Sequence, residues 1–245
     1  NIGGISVGGM VSNRKTFSNI LMPNVHHLRH THLPENSFVK GEPDIGVDLA
    51  DDLERIAANI GPENIAACIV EPIAGSTGTL VPPKGYLQRL RDICDKHGIL
   101  LIFDEVITGW GRTGFPFASQ AFGVTPDIMT MAKAVTNGVV PLGAVASREN
   151  IYDTVLDASP MGAVEFFHGY TYSAIPVSMA AGLAMQNIIE KENLFQRSKD
   201  MAPYFLDGLF SLKDIDEITD IRGYGMLGGI DIRFDERIGK AGYSC

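Results

Sequence analysis

The feature that most constrains this chain is the stretch 99–108, which reads ILLIFDEVIT. Six of its first eight residues are apolar, and a short run so rich in Ile and Leu is typical of a parallel-sheet strand buried on both faces. Asp104 and Glu105 stand at its C-terminal end, where open α/β sheets hold their ligands. A carboxylate in such a place needs a cationic partner, because an unpaired charge in apolar surroundings is energetically costly.

A candidate partner is Lys133, the one cation in the run 126–134, which reads PDIMTMAKA. Burial would lower the pKa of this lysine from about 10.4 toward neutrality. A lysine in that state is a nucleophile suited to Schiff-base chemistry. Taken singly, Asp104 also fits a helix cap and Lys133 a snorkelling surface lysine. Their positions at the ends of consecutive predicted strands favour a joint role.

Buried strands and amphipathic helices alternate around this stretch, which predicts an α/β fold with a mostly parallel sheet flanked by helices. The strand 65–70 ends in a further carboxylate, Glu71. It is joined to the Asp104 strand by an amphipathic helix, which makes a βαβ unit. The other predicted elements are helices from 46 to 60, 85 to 97, 116 to 122 and 176 to 189, and strands at 127–131 and 143–147.

The loop that follows Glu71 contains the residues Gly75, Ser76, Thr77 and Gly78. Glycines and hydroxyls of this kind are suited to cradling a phosphate. The loop lacks the lysine and the glycine spacing of known phosphate-binding signatures, so a simple turn is the favoured interpretation.

Composition excludes several classes of function. A formal charge of −9 leaves no basic stripe to meet the phosphates of a nucleic acid. The chain has no run of about 18 apolar residues, so we expect neither a membrane span nor a membrane partner. The three cysteines, Cys68, Cys94 and Cys245, have no metal-ligand spacing and predict a reducing, cytoplasmic setting.

Four histidines, at 26, 27, 30 and 32, are close together in the sequence. Their spacing is not that of a zinc motif, and nearby prolines favour a polar loop over a metal site. We therefore predict no metal.

The chain begins at Asn1 without an initiator Met and stops at Cys245 just after a strand-like segment. We expect a piece of a longer protein. Sequence becomes more polar beyond Glu190, which predicts a large domain over 1–190 and the start of a small, truncated domain over 191–245.

Several segments together resemble a known family. The segments are Val70–Pro72, Ile102–Gly109, Pro126–Ala134, Leu142–Val145 and Phe167–Ser173. The chain resembles the class III, pyridoxal-phosphate-dependent aminotransferases of fold type I, and is most similar to the branch of ω-amino acid (β-alanine) to pyruvate aminotransferases. The similarity to that branch rests on segments with little chemistry, at 31–34, 49–55 and 81–90.

The resemblance implies a role for each site residue. Lys133 would bind pyridoxal 5'-phosphate as a Schiff base and move protons, while Asp104 would keep the pyridine nitrogen protonated. Val106 would pack on one ring face and Glu71 would lie near the ring and the substrate. Thr171 would reach the cofactor phosphate of the other subunit, which implies a homodimer with a shared active site.

The resemblance also has departures and leaves functions open. Ile175 stands where many relatives have His, and Trp110 where this branch often has Phe. The family's main phosphate cup and ring-stacking aromatic would lie before Asn1, and its substrate-carboxylate arginine after Cys245. The expected reaction moves an amino group from a small-molecule donor to a keto acid. The competing functions are another class III activity, such as 4-aminobutyrate aminotransferase or an aminomutase, and a non-catalytic binding protein.

Overall fold

Strands and helices alternate along most of the chain, and the computed structural model describes residues 2–164, 166 and 168–233. Within these residues the helices are α1 (Ile2–Val7), α2 (Val11–Thr16), α3 (Asp52–Ile60), α4 (Tyr86–His97), α5 (Ala118–Ala121), α6 (Glu149–Asp157), α7 (Pro176–Lys191) and α8 (Leu194–Phe210). The strands are β1 (Ala67–Val70), β2 (Leu100–Asp104), β3 (Ile128–Met131), β4 (Ala144–Ser147), β5 (Ile218–Tyr224) and β6 (Leu227–Ile232).

The central sheet has the strand order β1-β2-β3-β4. Strands β1, β2 and β3 are parallel, and β4 runs antiparallel to β3. The prediction of a mostly parallel sheet flanked by helices is therefore confirmed. Because three strands share one direction, their carboxyl ends lie at one edge of the sheet.

The core lies between β2 and the helices that cover it. Leu101 and Phe103 of β2 are fully buried, and they share a hydrophobic cluster with Leu90 and Ile93 of α4. Full burial of each such side chain stabilises the fold by about 1.5–3 kcal/mol. Helix α4 ends at Gly98, whose φ of 69° is a left-handed conformation that glycine adopts without strain. This packing holds β2 rigidly.

Strand β2 is shorter than the predicted run 99–108, because it ends at Asp104. The chain then turns, and the amide of Gly109 donates to the carbonyl oxygen of Glu105 at 2.9 Å. The apolar residues Val106 and Ile107 therefore belong to a turn at the sheet edge.

A second, two-stranded sheet is formed by β5 and β6, which are antiparallel. It is tied to earlier parts of the chain by Arg222, whose Nε donates to the carbonyl oxygen of Gly78 at 3.0 Å. The amide of Gly41 also donates to Gly223 at 2.9 Å. The division into domains after residue 190 stays a prediction. Among the described residues, no helix is both long and apolar enough to cross a membrane.

Candidate active site

Three residues meet at the carboxyl edge of the parallel strands. Glu71 directly follows β1, Asp104 is the last residue of β2, and Lys133 lies two residues beyond β3. Burial is the main cause that raises the pKa of Glu71; the Asp104 carboxylate adds to this rise, and the Lys133 ammonium opposes it. Because β1, β2 and β3 are adjacent and parallel, the residues at their carboxyl ends lie at one edge of the sheet, and both Asp104 and Lys133 are close enough to act on the Glu71 carboxyl group.

Glu71 is half-buried and is held by its own loop. The amide of Gly75 donates to Glu71 Oε2 at 3.0 Å. The amides of Gly78 and Thr79 both donate to the carbonyl oxygen of Gly75, at 3.1 and 3.0 Å. Because these amides are used within the loop, the geometry supports the interpretation of residues 75–78 as a turn rather than a phosphate cradle.

This loop packs directly on the turn after Asp104. A Cβ placed on Gly75 would lie 2.6 Å from Ile107 Cδ1 and 2.9 Å from Ile107 Cγ2. Only glycine permits such a close approach without displacement of its neighbour. The segments that carry Glu71 and Asp104 are therefore in contact through these two residues.

Asp104 presents one free carboxylate oxygen. Its Oδ1 accepts a hydrogen bond from the amide of Val106 at 3.0 Å. No described residue donates to Oδ2, so this oxygen can accept a proton donor from a ligand. Val106, the predicted ring-packing residue, is half-buried beside it.

Glu105 points the other way and is fully buried. Its carboxylate accepts hydrogen bonds from Thr108 Oγ1 at 2.5 Å, the Ala118 amide at 2.9 Å and the Ser119 amide at 2.7 Å. Burial raises the pKa of Glu105, the three hydrogen bonds oppose the rise, and Asp104 adds to it. We did not predict this network, although side chains alternate along an extended chain, so an Asp104 facing the site implies a Glu105 facing the core.

Lys133 begins a short 3₁₀ turn, Lys133–Val135, with a φ of 49°. For a residue other than glycine this left-handed conformation costs about 1–3 kcal/mol. The expectation that Lys133 is buried is wrong for this chain, because its side chain is exposed. The reason is that β3 ends at Met131, so the lysine follows the strand and is outside the packed sheet.

A cavity of about 660 Å³ opens beside Lys133. Tyr170 and Tyr172 line it from the segment before α7, and Leu142 and Met179 supply apolar surface. Both tyrosines belong to Phe167–Ser173, a segment that carries the family resemblance, but nothing in its sequence placed them near the lysine. The cavity that these residues form with Lys133 is large enough for a small organic ligand.

Thr171 lies between these two tyrosines, and its side chain is exposed. It is not a lining residue of the cavity. Its predicted role at a neighbouring subunit stays a prediction. Phe167, another residue of the same motif, is outside the described residues.

His32, one of the four histidines predicted to lie in a polar loop, is close to carboxylates. Its Nε2 is 3.4 Å from Asp220 Oδ2. The ligand atoms of His32, Asp220 and Asp231 are within 4.8 Å of one another. However, Arg222 donates to both oxygens of Asp231 at 2.8 Å and also to Asp220. A metal ion would have to displace this guanidinium, so the arrangement is better described as a buried ion-pair cluster.

Comparison with known families gives one clear match. The sequence model of the family Aminotransferase class-III matches residues 2–241. The chain is 55% identical over 231 residues to an omega-aminotransferase of Caulobacter vibrioides, covering 94% of this chain and 52% of that protein. It is 52% identical over 234 residues to a beta-alanine–pyruvate aminotransferase of Pseudomonas aeruginosa, covering 95% and 52%. The chain thus spans about half the length of the curated relatives it matches.

Solved structures agree with the sequence matches. A thermostable omega transaminase from Pseudomonas jessenii, a 6-fold mutant, superposes with a TM-score of 0.88 at 34% identity. The superposition covers 100% of this chain and 54% of that one. With a family match over nearly its whole length and a shared fold, the chain belongs to the class III aminotransferase family.

Proposed function

We propose that this chain supplies the catalytic lysine and aspartate of a transaminase that moves an amino group from an ω-amino acid or amine to pyruvate. The observation that carries the proposal is the meeting of Glu71, Asp104 and Lys133 at one sheet edge, beside a cavity. Members of the family depend on pyridoxal 5'-phosphate. The support is thus a site geometry together with a family whose chemistry needs that geometry.

The residues at the site fit this cofactor. Lys133 Nζ has no hydrogen bond or ion pair to any described residue, and it faces open space. Asp104 Oδ2 is likewise without a donor among the described residues, and a carboxylate there suits a protonated ring nitrogen. When bound, the cofactor supplies an aldehyde carbon for attachment to an amine and a ring that withdraws electrons.

Each residue then has a task. Lys133 Nζ would hold the cofactor through its aldehyde carbon with loss of water, and, once the incoming substrate amine has displaced it, the freed amine would take the proton from the substrate Cα. Asp104 Oδ2 would accept the hydrogen bond from the protonated pyridine nitrogen, which would stabilise the positive charge on the ring. Val106 would pack against the ring, and Glu71 would lie near the ring and the substrate.

The named relatives favour pyruvate as the acceptor and a β-alanine-like donor. A 4-aminobutyrate aminotransferase or an aminomutase would use the same lysine and aspartate, so the catalytic geometry alone does not separate these reactions. These reactions are distinguished by the residues that contact the part of the substrate farthest from the reacting amine. For this reason the substrate is the part of the proposal that most needs measurement.

We also propose a homodimer as the working form, with Thr171 contacting the cofactor phosphate of the second subunit. Tyr170 and Tyr172, which line the cavity beside Lys133, are exposed aromatic residues, and Val139 is a further exposed apolar residue. A surface of this kind is typical of an interface. The free, buried cysteines Cys68 and Cys94 support the cytoplasm as the compartment.

The test is an amino-transfer assay on the purified holoenzyme. β-Alanine and 4-aminobutyrate are offered as donors, each with pyruvate or 2-oxoglutarate as acceptor, and the product amino acid is quantified. We expect alanine to form fastest from β-alanine with pyruvate. Preference for 2-oxoglutarate would support the 4-aminobutyrate aminotransferase function, and the absence of both cofactor absorbance and turnover would support the non-catalytic alternative.

A further inference from the structure

We propose that Glu105 is a positioning residue, which holds Asp104 at the sheet edge with its free oxygen directed at the cofactor nitrogen. This inference rests on the proposed function, because it assigns Asp104 that partner. Glu105 touches neither cofactor nor substrate. It acts through the backbone that it shares with Asp104.

The first step of the argument is the direction of the two side chains. Asp104 is the last residue of β2, and its carboxylate lies at the open edge, whereas Glu105 is fully buried. The Glu105 amide donates to the carbonyl oxygen of Thr130 at 2.9 Å. The contact between the β2 and β3 segments therefore continues one residue past Asp104, so that Asp104 has a fixed residue on each side.

The second step is what the buried carboxylate joins. Glu105 Oε2 accepts from Thr108 Oγ1 and from the Ala118 amide, and Oε1 accepts from the Ser119 amide. Thr108 is near the start of the loop and Ala118 is at its end. One carboxylate thus closes the whole loop 106–117 onto the residue next to Asp104.

The third step links this closure to the orientation of Asp104. Asp104 Oδ1 accepts from the Val106 amide at 3.0 Å, whereas no described residue donates to Oδ2. The Val106 amide lies between Glu105 and Thr108, both of which are in the buried network. A change that loosens Glu105 would also free the Val106 amide, and Asp104 would lose its fixed rotamer.

A carboxylate is suited to this place because all of its contacts are donors. Gln at position 105 would put an NH₂ group opposite an N–H or O–H donor and lose at least one hydrogen bond. The size of the side chain would hardly change. Glu105→Gln therefore disturbs the network with little change in packing volume.

The test is a double-mutant cycle of Glu105→Gln and Asp104→Asn in the holoenzyme. Two quantities are measured: the rate of amino transfer from β-alanine to the bound cofactor, and the pH midpoint of the bound cofactor's absorbance change. Glu105→Gln alone should slow transfer by about tenfold and shift the midpoint in the same direction as Asp104→Asn. In the Asp104→Asn background it should slow transfer by less than about twofold and leave the midpoint unchanged.

If Glu105→Gln slowed amino transfer by the same factor in the wild-type and Asp104→Asn backgrounds, Glu105 would merely support the loop. That result would overturn the proposal. An unchanged rate and midpoint in the single variant would overturn it as well. Thr108→Val, which removes one donor, should act in the same direction with a smaller effect. If Glu105→Gln does not fold, Thr108→Val in both backgrounds provides the same cycle.

Asp127 offers a matched control, because it is another buried carboxylate, at the amino end of β3. Its Oδ2 accepts from Arg91 Nη1 at 2.8 Å and from the Leu101 amide at 2.7 Å. Asp127→Asn should lower the melting temperature without a shift of the absorbance midpoint. A wild-type protein that binds no pyridoxal phosphate would overturn the proposed function and this role together. A wild-type protein that binds the cofactor, but in which Glu105→Gln and Asp104→Asn act independently, would overturn this role alone.

Discussion

Asp104 of β2 lies in register with Thr130 of β3. Thr130 is three residues before Lys133 in the sequence. This pairing brings the carboxylate and the lysine to one edge although 29 residues separate them in the sequence. Asp104 is held on the sheet itself, whereas Lys133 lies on a short 3₁₀ turn two residues beyond the end of β3. The sheet therefore fixes the carboxylate and the strand end from which the lysine projects.

The first prediction concerns Asp104→Asn. An amide cannot stabilise a protonated ring nitrogen, so amino transfer should slow by on the order of a hundredfold or more, while the affinity for the cofactor falls much less. Single-turnover kinetics and a cofactor titration measure the two effects separately. Wild-type turnover with an unchanged cofactor spectrum would show that the role given to Asp104 is wrong.

The second prediction concerns Lys133. Lys133→Ala should abolish covalent attachment of the cofactor and amino transfer, and Lys133→Arg should not restore them because a guanidinium stays protonated. Borohydride reduction of the wild-type holoenzyme, followed by digestion and peptide mass analysis, locates the modified lysine. Lys84 and Lys96, which form exposed ion pairs with Asp44 and Glu54, are internal controls. A tag on either of them contradicts the assignment.

The third prediction concerns the contact between Gly75 and Ile107. Gly75→Ala should destabilise the fold by about 1–3 kcal/mol, because its Cβ would overlap the Ile107 side chain. Ile107→Ala removes the two atoms nearest that Cβ. Gly75→Ala should therefore cost less stability in the Ile107→Ala background than in the wild type. Urea denaturation of the four proteins checks this. Strictly additive effects would mean that the two residues are not coupled.

The fourth prediction is a pH dependence that arises from Glu71. Its pKa is raised in the folded protein, mainly by burial, so the folded state binds this proton more tightly than the unfolded state. The resulting stabilisation is fully present below the ordinary pKa of a glutamate and is lost as pH rises through the raised value. Melting temperatures of the wild type and Glu71→Gln, measured from pH 4 to 8, should therefore diverge in favour of the Gln variant as pH rises. Parallel curves would contradict this.

The fifth prediction concerns Arg222, which is buried between Asp220 and Asp231. Arg222→Met should destabilise the protein by about 3–5 kcal/mol, because Asp220 would remain buried without its cationic partner. Lys84→Met, which removes a fully exposed ion pair, should leave the melting temperature nearly unchanged. Equal effects of the two substitutions would show that the buried cluster carries no special stability.

The order of the main elements was predictable because it depends on local patterns. The apolar run in β2 and the helical spacing of Leu87, Leu90 and Cys94 in α4 are visible within a dozen residues. The convergence of Glu71, Asp104 and Lys133 followed, since successive parallel strands end at the same edge. Their chemical roles came from the resemblance to a family and stay predictions.

Other parts of the site depend on contacts that no local pattern contains. The groups that donate to the Glu105 carboxylate include the amides of Ala118 and Ser119. These amides reach Glu105 only because a loop of more than ten residues returns to it. The exposure of Lys133 depends on where β3 ends, and the cavity beside it depends on the later segment that carries Tyr170.

The sequence by itself therefore determined the class of fold and the edge of the sheet at which Glu71, Asp104 and Lys133 lie. Only the tertiary structure decided that Glu105 is a buried anchor and that Arg222 ties the β5–β6 sheet to Gly78, 144 residues earlier. The physical reason is that hydrophobic periodicity records which face of an element is buried. The pairing of buried polar groups depends instead on which distant segments come to share the same space.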